Sequence, residues 1–168
     1  ETKNIIAGEG GMLAINDEQF INRAEIIWEK GTNRSAFFRG EVDKYGWVDI
    51  GSSFLPSEII AAFLWAQLEN LEAIQKVRKQ HWNAYYNQLL NWTKTNEIEL
   101  PQVPNYATNN GHMFFLKCKS MEQRTALINK LKAKDTHPVF HYISLHSSQK
   151  KKKKRDGRNL PNTDNFTD

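Results

Sequence analysis

A long stretch of helical periodicity in the middle of the chain most constrains what this sequence can fold into. Between residues 56 and 95, apolar side chains recur every three or four positions: Ile60, Leu64, Leu68, Leu71, Ile74, Val77, Tyr85, Leu89 and Trp92. This spacing predicts one long helix, or two helices joined by a bend, of about 35 residues. Pro56 suits its first turn. Because a helix that long is unusual inside a small domain, we expect a spine that links two domains.

The chain after the spine has the pattern of a small α/β layer. Two prolines end the spine, and residues 112–118 then have the composition of a buried strand. Ser120 and Gln123 predict a capping box that opens a helix. The inward face of that helix is predicted to comprise Leu127, Ile128 and Leu131. Residues 138–143 predict a second strand, so the order strand, helix, strand indicates an α/β domain.

The start of the chain has the pattern of a β-hairpin with a lysine at its mouth. Two short apolar segments, residues 5–7 and 12–15, flank a glycine-rich turn at residues 8–11. A lysine this near a chain start is ordinarily a solvated charge. Lys3 at the mouth of a buried hairpin could instead be held rigidly and partly desolvated, which would make its amine a usable nucleophile and base.

A helix and a long loop are predicted between the hairpin and the spine. Asn16 can cap the helix with Gln19 completing a capping box, and Gly31 is expected to end it after about Trp28. Residues 32–55 are punctuated by glycine, with the aromatic residues Phe37, Phe38, Tyr45 and Trp47 among charges. A connection this long is usually functional or disordered, and its aromatics favour an ordered loop that packs on something.

Composition and charge exclude several classes of protein. The hydrophobic content of 39% fits a soluble globular domain, and no apolar run approaches the length of a membrane span. A single cysteine, Cys118, excludes an intramolecular disulfide and is compatible with the cytoplasm. Of 23 basic residues, six lie at 150–155, which leaves 17 against 19 acidic residues. The positive charge therefore belongs to one segment, and we expect no specific nucleic-acid site.

Several separated blocks resemble the DegT/StrS-type sugar aminotransferases. The sequence TKN at residues 2–4, followed by GEGG at residues 8–11, resembles the segment that carries the cofactor-binding lysine. The blocks EKGTNRS, EVDKY and GSSFLPSEIIAA, which begin at residues 29, 41 and 51, resemble the branch that makes dTDP-4-amino-4,6-dideoxygalactose. The resemblance covers the chain to about residue 148.

The resemblance implies the aspartate-aminotransferase fold, the type I fold of pyridoxal 5′-phosphate (PLP) transferases, of which this chain would be the carboxyl-terminal part. It implies residues 1–55 as the end of the large PLP-binding domain and 56–95 as the linking helix. Residues 96–148 would form the small α/β domain. Residues 149–168 have the composition of a basic and polar flexible tail.

The implied activity transfers an amino group from glutamate to C4 of dTDP-4-keto-6-deoxyglucose, for surface polysaccharides such as lipopolysaccharide. Lys3 would bond to the PLP aldehyde and move a proton between the donor's α-carbon and the cofactor. Ser53 stands where many relatives have an asparagine that reaches across a homodimer to the partner's PLP phosphate. A hydroxyl can donate one hydrogen bond there, although Ser52 or Ser53 could equally cap the next helix.

Four further residues are candidates for substrate binding. The resemblance implies that Asn33 and Arg34 border the nucleotide-sugar site, and the guanidinium of arginine suits a phosphate group. A surface arginine is an equally good interpretation. By the same resemblance, His141 and its neighbour Tyr142 would lie near the sugar. His141 and His146 have no third ligand nearby in sequence, so we expect no metal site.

Two other classes of function stay open on sequence grounds. The chain could be a non-catalytic binding or regulatory relative that retains the fold. It could also be an interaction domain that binds polyanions through the basic segment at residues 150–155. We expect the 168-residue chain to be inactive alone because residues that hold the cofactor in the family's large domain have no counterpart here.

Overall fold

The structure is a computed structural model of the chain, and it describes residues 3–140, 142, 144–147 and 159–167. The backbone divides into two compact units, Glu1–Ile74 and Gln75–Asp168, which we call unit 1 and unit 2. The division falls inside the stretch predicted to be the spine. Each unit is described below by itself.

The regular structure of the described residues is helical. In chain order it comprises a 3-10 helix Glu18–Phe20, α1 Ile21–Trp28, α2 Arg34–Phe38, α3 Glu58–Glu69, α4 Leu71–Thr95, α5 Met121–Lys132, a 3-10 helix Leu145–Ser147 and α6 Pro161–Thr167. Three isolated antiparallel bridges pair Glu29 with Ser53, Thr32 with Trp47, and Glu99 with Lys117. No helix in the described part is both long and apolar enough to cross a membrane.

The spine consists of two helices, the second of the two predicted alternatives. The hydroxyl of Ser57 accepts a hydrogen bond from the Ile60 amide (3.3 Å) and caps α3, so Pro56 precedes the helix instead of lying in its first turn. The break falls at Asn70, whose side-chain amide donates to the Ala66 carbonyl (2.9 Å). Its backbone (φ −102°, ψ 9°) leaves the helical region for one residue before α4 begins.

The hairpin predicted between residues 5 and 15 is wrong. The backbone there forms no strand, and Met12 and Leu13 are 93% and 75% exposed. A hairpin of two strands needs a further strand or a helix against its apolar face to be stable. These exposed side chains have no such cover within the described residues.

The strand predicted at residues 112–118 is extended but pairs at one position. Lys117 and Glu99 exchange two backbone hydrogen bonds of 3.0 and 2.9 Å, and the neighbouring residues continue no ladder. The strand predicted at residues 138–143 does not form at 138–140 or 142, while 141 and 143 lie outside the described residues. A segment pairs as a strand only where a neighbouring backbone satisfies its amides.

An aromatic cluster forms the core of unit 2. Trp82 on α4 is 9% exposed, and its indole nitrogen donates to the Met113 carbonyl (3.1 Å). Its ring stacks on Tyr86 at 5.3 Å and meets Phe114 edge-on at 5.5 Å. Thr93, about three turns further along α4, is 2% exposed, and its hydroxyl donates to the Leu90 carbonyl (3.1 Å). This cluster holds the extended segment 112–118 against α4.

Helix α5 begins as the sequence predicts. The Ser120 hydroxyl accepts a hydrogen bond from the Gln123 backbone amide (3.2 Å), and the side-chain oxygen Oε1 of Gln123 accepts one from the Lys119 backbone amide (2.9 Å). The Gln123 side chain also donates to the Asn96 carbonyl (2.8 Å), which ties the start of α5 to the end of α4. The predicted inward face is half-buried and comprises Leu127, Ile128 and Leu131.

The last described residues form a short helix that contacts the rest of unit 2. His146 and Asp164 approach to 2.8 Å, and the Phe166 ring lies 4.9 Å below the Lys117 ammonium. No helix was expected here, because the sequence PNTDNFT lacks an apolar period. Its two contacts come from residues distant in sequence, which explains why a local pattern does not reveal them.

Candidate functional site

A tight turn in unit 1, residues 29–33, is named here the Gly31 turn. It contains Asn33, directly precedes Arg34 and pairs with Ser53 through Glu29. The Lys30 amide donates to the Ser52 carbonyl (3.1 Å), and the Gly31 carbonyl accepts from the amides of Val48 (2.8 Å) and Asp49 (3.1 Å). These bonds fasten the turn to residues 46–54. The loop predicted between residues 32 and 55 is therefore ordered on the end of α1.

Glycine is required at the centre of this turn for two reasons. Gly31 has a φ of +80°, which other residues adopt only with strain, and a Cβ there would lie 1.9 Å from the Asp49 carbonyl oxygen. The Gly31 amide also donates to the Ile26 carbonyl (2.7 Å), which ends α1 as the sequence predicts. At the other end of α1, Asp17 caps the preceding 3-10 turn, so the predicted cap at Asn16 is one residue off.

Asn33 lies directly after the turn and is used by the fold itself. Its side-chain oxygen accepts a hydrogen bond from the Gly46 amide (2.9 Å), and its own amide donates to the Gly46 carbonyl (3.3 Å). Asn33 also precedes α2, where its carbonyl accepts from the Phe37 amide (3.2 Å). The Asn33 side chain is therefore oriented by the backbone of Gly46.

Arg34 begins α2 and packs its guanidinium over the Phe38 ring at 5.0 Å. It is half-buried and makes no ion pair among the described residues. A stacked arginine loses little conformational freedom on binding a further group and retains in-plane N–H donors for an anion. Arg34 is thus chemically suited to a phosphate.

A cluster of three charged residues, which the sequence did not reveal, fastens α1 to the end of α2. Arg39 forms two bonds to Glu25 (3.0 and 2.9 Å) and two to Glu41 (2.7 and 3.2 Å). Hydrogen bonds from Arg39 hold the pKa of Glu41 below its usual value, and the two carboxylates raise the pKa of Arg39. A cavity of about 210 Å³ beside this cluster is also lined by Thr32 and Asn33.

The Ser53 backbone pairs with Glu29, and its side chain does not cap a helix. It forms the antiparallel bridge with Glu29 and its side chain is exposed. Because Ser57 caps α3, the alternative that Ser52 or Ser53 caps the following helix is wrong. The Ser53 hydroxyl therefore has no capping role in competition with a ligand.

Lys3 is exposed in the chain, in contrast to the partly desolvated lysine that the hairpin would have produced. The chemistry of the donor set nevertheless fits PLP, since an accessible primary amine can bond to an aldehyde and an exposed hydroxyl can donate to a phosphate oxygen. Lys3 and Ser53 both belong to unit 1. That Lys3 and Ser53 bind the cofactor stays a prediction from the resemblance, in which Ser53 reaches the PLP of the partner subunit.

The two candidates near residue 141 belong to unit 2. Tyr142 is 75% exposed, and His141 lies outside the described residues. His146 contacts Asp164, and no group of three His, Cys, Asp or Glu side chains in the described part of the chain is placed to hold a metal ion. Asn33, Arg34 and Ser53 thus lie on one ordered region, whereas Tyr142 does not share it.

The fold is that of sugar aminotransferases of known structure. The aminotransferase TlmJ of Streptoalloteichus hindustanus superposes with a TM-score of 0.76 at 18% identity, over 96% of this chain and 41% of its own. The sugar aminotransferase CalS13 of Micromonospora echinospora gives 0.79 at 19% identity, over 98% and 42%. A Streptococcus pneumoniae protein described as a sugar aminotransferase, solved in its PLP form, gives 0.66 at 18%, over 94% and 38%.

Sequence comparison leads to the same group of proteins. An uncharacterized protein of Methanocaldococcus jannaschii is 25% identical over 151 residues, which are 86% of this chain and 38% of that protein. The chain thus spans about two fifths of the length of the relatives it matches. The predicted aminotransferase fold is confirmed as a part of that fold. Since the model of the DegT/DnrJ/EryC1/StrS aminotransferase family matches residues 1–168, the chain belongs to this PLP-dependent family.

Proposed function

We propose that the protein containing this chain is a PLP-dependent aminotransferase acting on a nucleotide-linked keto-sugar. In this proposal it transfers the amino group of glutamate to C4 of dTDP-4-keto-6-deoxyglucose and so makes dTDP-4-amino-4,6-dideoxygalactose for surface polysaccharides. The family match over residues 1–168 is the observation that carries the proposal. The sequence blocks at residues 29–35, 41–45 and 51–62 support the choice of sugar.

Lys3 is the proposed catalytic residue. PLP, when bound, supplies the electron sink for breaking the bond between the donor's α-carbon and its hydrogen. The Lys3 amine would hold the cofactor through its aldehyde and carry the proton at that α-carbon. The Lys3 side chain is exposed.

Polar side chains in and next to the Gly31 turn would contact the ligands. Ser53 would donate a hydrogen bond to the cofactor phosphate, and Arg34 would meet a phosphate of the nucleotide. Asn33, oriented by Gly46, would border the same substrate. His141 and Tyr142 would contact the sugar, a role that rests on the resemblance.

We also propose a cytoplasmic homodimer whose active sites are shared between subunits. Large apolar side chains of unit 1 are exposed in the chain, among them Ile50 (84%), Ile59 (82%) and Trp65 (66%). Helix α3 is apolar on all sides, a composition typical of helices that are buried in a larger assembly. Light scattering of the complete protein measures this directly, and a monomer would rule the shared sites out.

Replacement of Lys3 tests the catalytic proposal. In the complete protein, Lys3→Ala should lower turnover of the keto-sugar by about a thousandfold or more, because no other amine takes its place. The variant should also lose the visible absorption band of lysine-bound PLP. In the wild-type protein, borohydride reduction should attach the cofactor permanently to Lys3. Lys44→Ala, an exposed lysine elsewhere in unit 1, is the matched control and should retain both.

Two results would contradict the proposal. Full-speed conversion by Lys3→Ala would remove Lys3 from the chemistry. A wild-type protein that binds PLP but aminates no nucleotide sugar would leave Lys3 in place and refute the substrate. The 168-residue chain by itself is expected neither to retain PLP nor to turn over.

A further inference from the structure

Two arginines at opposite ends of helix α2 have different surroundings. Arg34 begins the helix, stacks on Phe38 at 5.0 Å and makes no ion pair among the described residues. Arg39 lies directly after the helix and makes four hydrogen bonds to the carboxylates of Glu25 and Glu41. The two guanidinium groups are therefore suited to different tasks.

The hydrogen bonds of Arg39 leave little of its guanidinium for a ligand. Nη1 and Nη2 donate to the two carboxylate oxygens of Glu25 (3.0 and 2.9 Å), and Nε and Nη2 donate to those of Glu41 (2.7 and 3.2 Å). Both pairs are thus bidentate, a geometry that fixes the orientation of an arginine. Because the three groups together carry a net negative charge, they would repel a phosphate that approached Arg39.

Helix α2 is too short to fix its own position. It comprises the five residues Arg34–Phe38, and even longer isolated helices are marginal in water without tertiary contacts. Its start is held by two hydrogen bonds between Asn33 and Gly46 (2.9 and 3.3 Å). Its end is held by Arg39, whose side chain reaches Glu25 on α1, 14 residues away in sequence. Arg39 therefore joins α2 to α1.

Side-chain packing does not fill the space between α1 and α2. A cavity of about 210 Å³ is lined from both helices, by Asn22 and Ile26 of α1 and by Ser35 and Ala36 of α2. Closely packed elements are held by interlocking side chains, whereas the lining of a void lacks contacts on one side. The spacing of the two helices at this point therefore depends on the hydrogen bonds between Arg39 and Glu25.

The position of Arg34 follows from that of α2. Arg34 and Arg39 are five residues apart, which corresponds to about 7.5 Å along a helix. The Phe38 ring that supports Arg34 belongs to the residue directly before Arg39. Binding groups must be held within about 0.5 Å of the productive geometry. Release of the end of α2 would therefore loosen the guanidinium that is proposed to meet the nucleotide phosphate.

We propose that Arg39 is a positioning residue of the nucleotide site, which holds α2 on α1 so that the guanidinium of Arg34 is oriented for a phosphate. The inference rests on the proposed function, since it requires a nucleotide ligand. It assigns the phosphate contact to Arg34 and the orientation of that side chain to Arg39 with its partners Glu25 and Glu41.

A double-mutant cycle on dTDP binding by the complete protein tests this division. Arg34→Met should raise the Kd for dTDP about tenfold or more, because it removes a charge-assisted contact. Arg39→Met should raise this Kd about fivefold in the wild-type background, but less than about twofold in the Arg34→Met background, where no contact is left to position. Arg23→Met breaks another exposed ion pair of unit 1, with Asp49, and as the matched control should leave the Kd within about twofold.

Glu25→Gln separates positioning from direct contact by the sign of its effect. The exchange keeps the shape of the side chain and weakens its bidentate pair with Arg39, so positioning predicts a Kd for dTDP that rises about threefold. If Arg39 itself met the phosphate, loss of the neighbouring negative charge would lower the Kd. A lowered Kd would overturn the inference, as would equal effects of Arg39→Met in the two backgrounds.

Steady-state kinetics distinguish positioning from a loss of folded enzyme. Arg39→Met should raise the KM for the nucleotide sugar and leave kcat within about twofold, because exposed ion pairs contribute little to stability and Lys3 is unchanged. A lowered apparent kcat at unchanged KM would instead assign Arg39 a structural role and overturn the inference.

The binding results also separate this inference from the proposed function. An unchanged Kd for dTDP in either Arg34→Met or Arg39→Met would overturn the inference while the proposed function stands. If the wild-type protein does not bind dTDP, the nucleotide-sugar function itself fails, and this inference with it.

Discussion

The two units of the chain achieve local order by different means. Trp82 and Ile98, the two buried hydrophobic side chains among the described residues, both belong to unit 2. In the part of unit 1 that the structure describes, the buried residues are Gly31 and Thr32, which lie in a turn held by backbone hydrogen bonds. The buried part of unit 2 is thus packed by aromatic side chains, whereas the buried part of unit 1 is a hydrogen-bonded turn.

This difference shows where site residues can be held without a core. The Gly31 turn positions Asn33, Arg34 and Ser53 through bonds between backbone atoms, which need little apolar burial nearby. Aromatic packing depends on filled volume, so it is sensitive to the loss of a large side chain. Substitutions that remove volume should therefore damage unit 2, and substitutions that crowd the backbone should damage unit 1.

The largest expected effect is that of Trp82→Ala in unit 2. Removal of the ring eliminates contacts with Tyr86 and Phe114 and the bond to the Met113 carbonyl, and should cost about 3–5 kcal/mol in the 168-residue chain. Urea unfolding followed by far-UV circular dichroism measures it. Trp47→Ala in unit 1, where the ring is 83% exposed, is the control and should change stability by less than about 0.5 kcal/mol. Equal losses for the two variants would refute the contrast.

Gly31→Ala should have the next largest effect, and it acts on unit 1. The added Cβ would meet the Asp49 carbonyl, so the turn must open at a cost of about 2 kcal/mol or more. Gly8→Ala is a matched control because Gly8 has a similar φ of +75° but open space around it, and should cost about 1 kcal/mol. Amide hydrogen exchange at Val48 and Asp49 reports the opening. Unchanged protection of these amides in Gly31→Ala would show that the close approach does not hold the turn.

The smallest expected effect compares one surface ion pair from each unit. Hydrogen bonds from Arg39 lower the pKa of Glu41 in unit 1, and those from Lys119 lower the pKa of Glu97 in unit 2. A carboxyl whose pKa is lowered by folding stabilises the fold above its unfolded pKa of 4.5, and this contribution is lost as the pH falls through the folded pKa. Because all four side chains are exposed, the loss should be small and weaker in high salt.

NMR titrations that measure the pKa values of Glu41 and Glu97 compare the two ion pairs. Arg39→Met should return the pKa of Glu41 towards its ordinary value and leave that of Glu97 unchanged, and Lys119→Met should do the reverse. A Glu41 pKa that does not respond to Arg39→Met would mean that the four hydrogen bonds of Arg39 do not persist in solution.

Elements whose determinants are close in sequence were predicted well. The cap of α5 depends on Ser120 and Gln123, three residues apart, and the end of α1 depends on Gly31, and both are confirmed. Family membership was also recognisable from ordered sequence blocks, and it is confirmed over residues 1–168. The residues of the active site stay predictions.

Elements that depend on distant neighbours were predicted poorly. The hairpin at residues 5–15 has the composition of a strand pair, but Met12 and Leu13 of its second segment have no cover among the described residues. On α4, periodicity favoured Tyr85 and Trp92, whereas the structure buries Trp82 and Thr93. The apolar spacing along α4 fits more than one choice of buried face, so the segment that packs on the helix decides which residues are buried.

By itself, the sequence determined the family, the helical spine with its possible bend, and the glycine on which a tight turn depends. Tertiary structure alone decided that Asn33 is oriented by Gly46 and that Arg39 joins two carboxylates. The reason is physical. Capping and glycine conformation act over a few residues, whereas burial and hydrogen-bond satisfaction depend on backbone brought together from 13 or more positions away, as Gly46 is from Asn33.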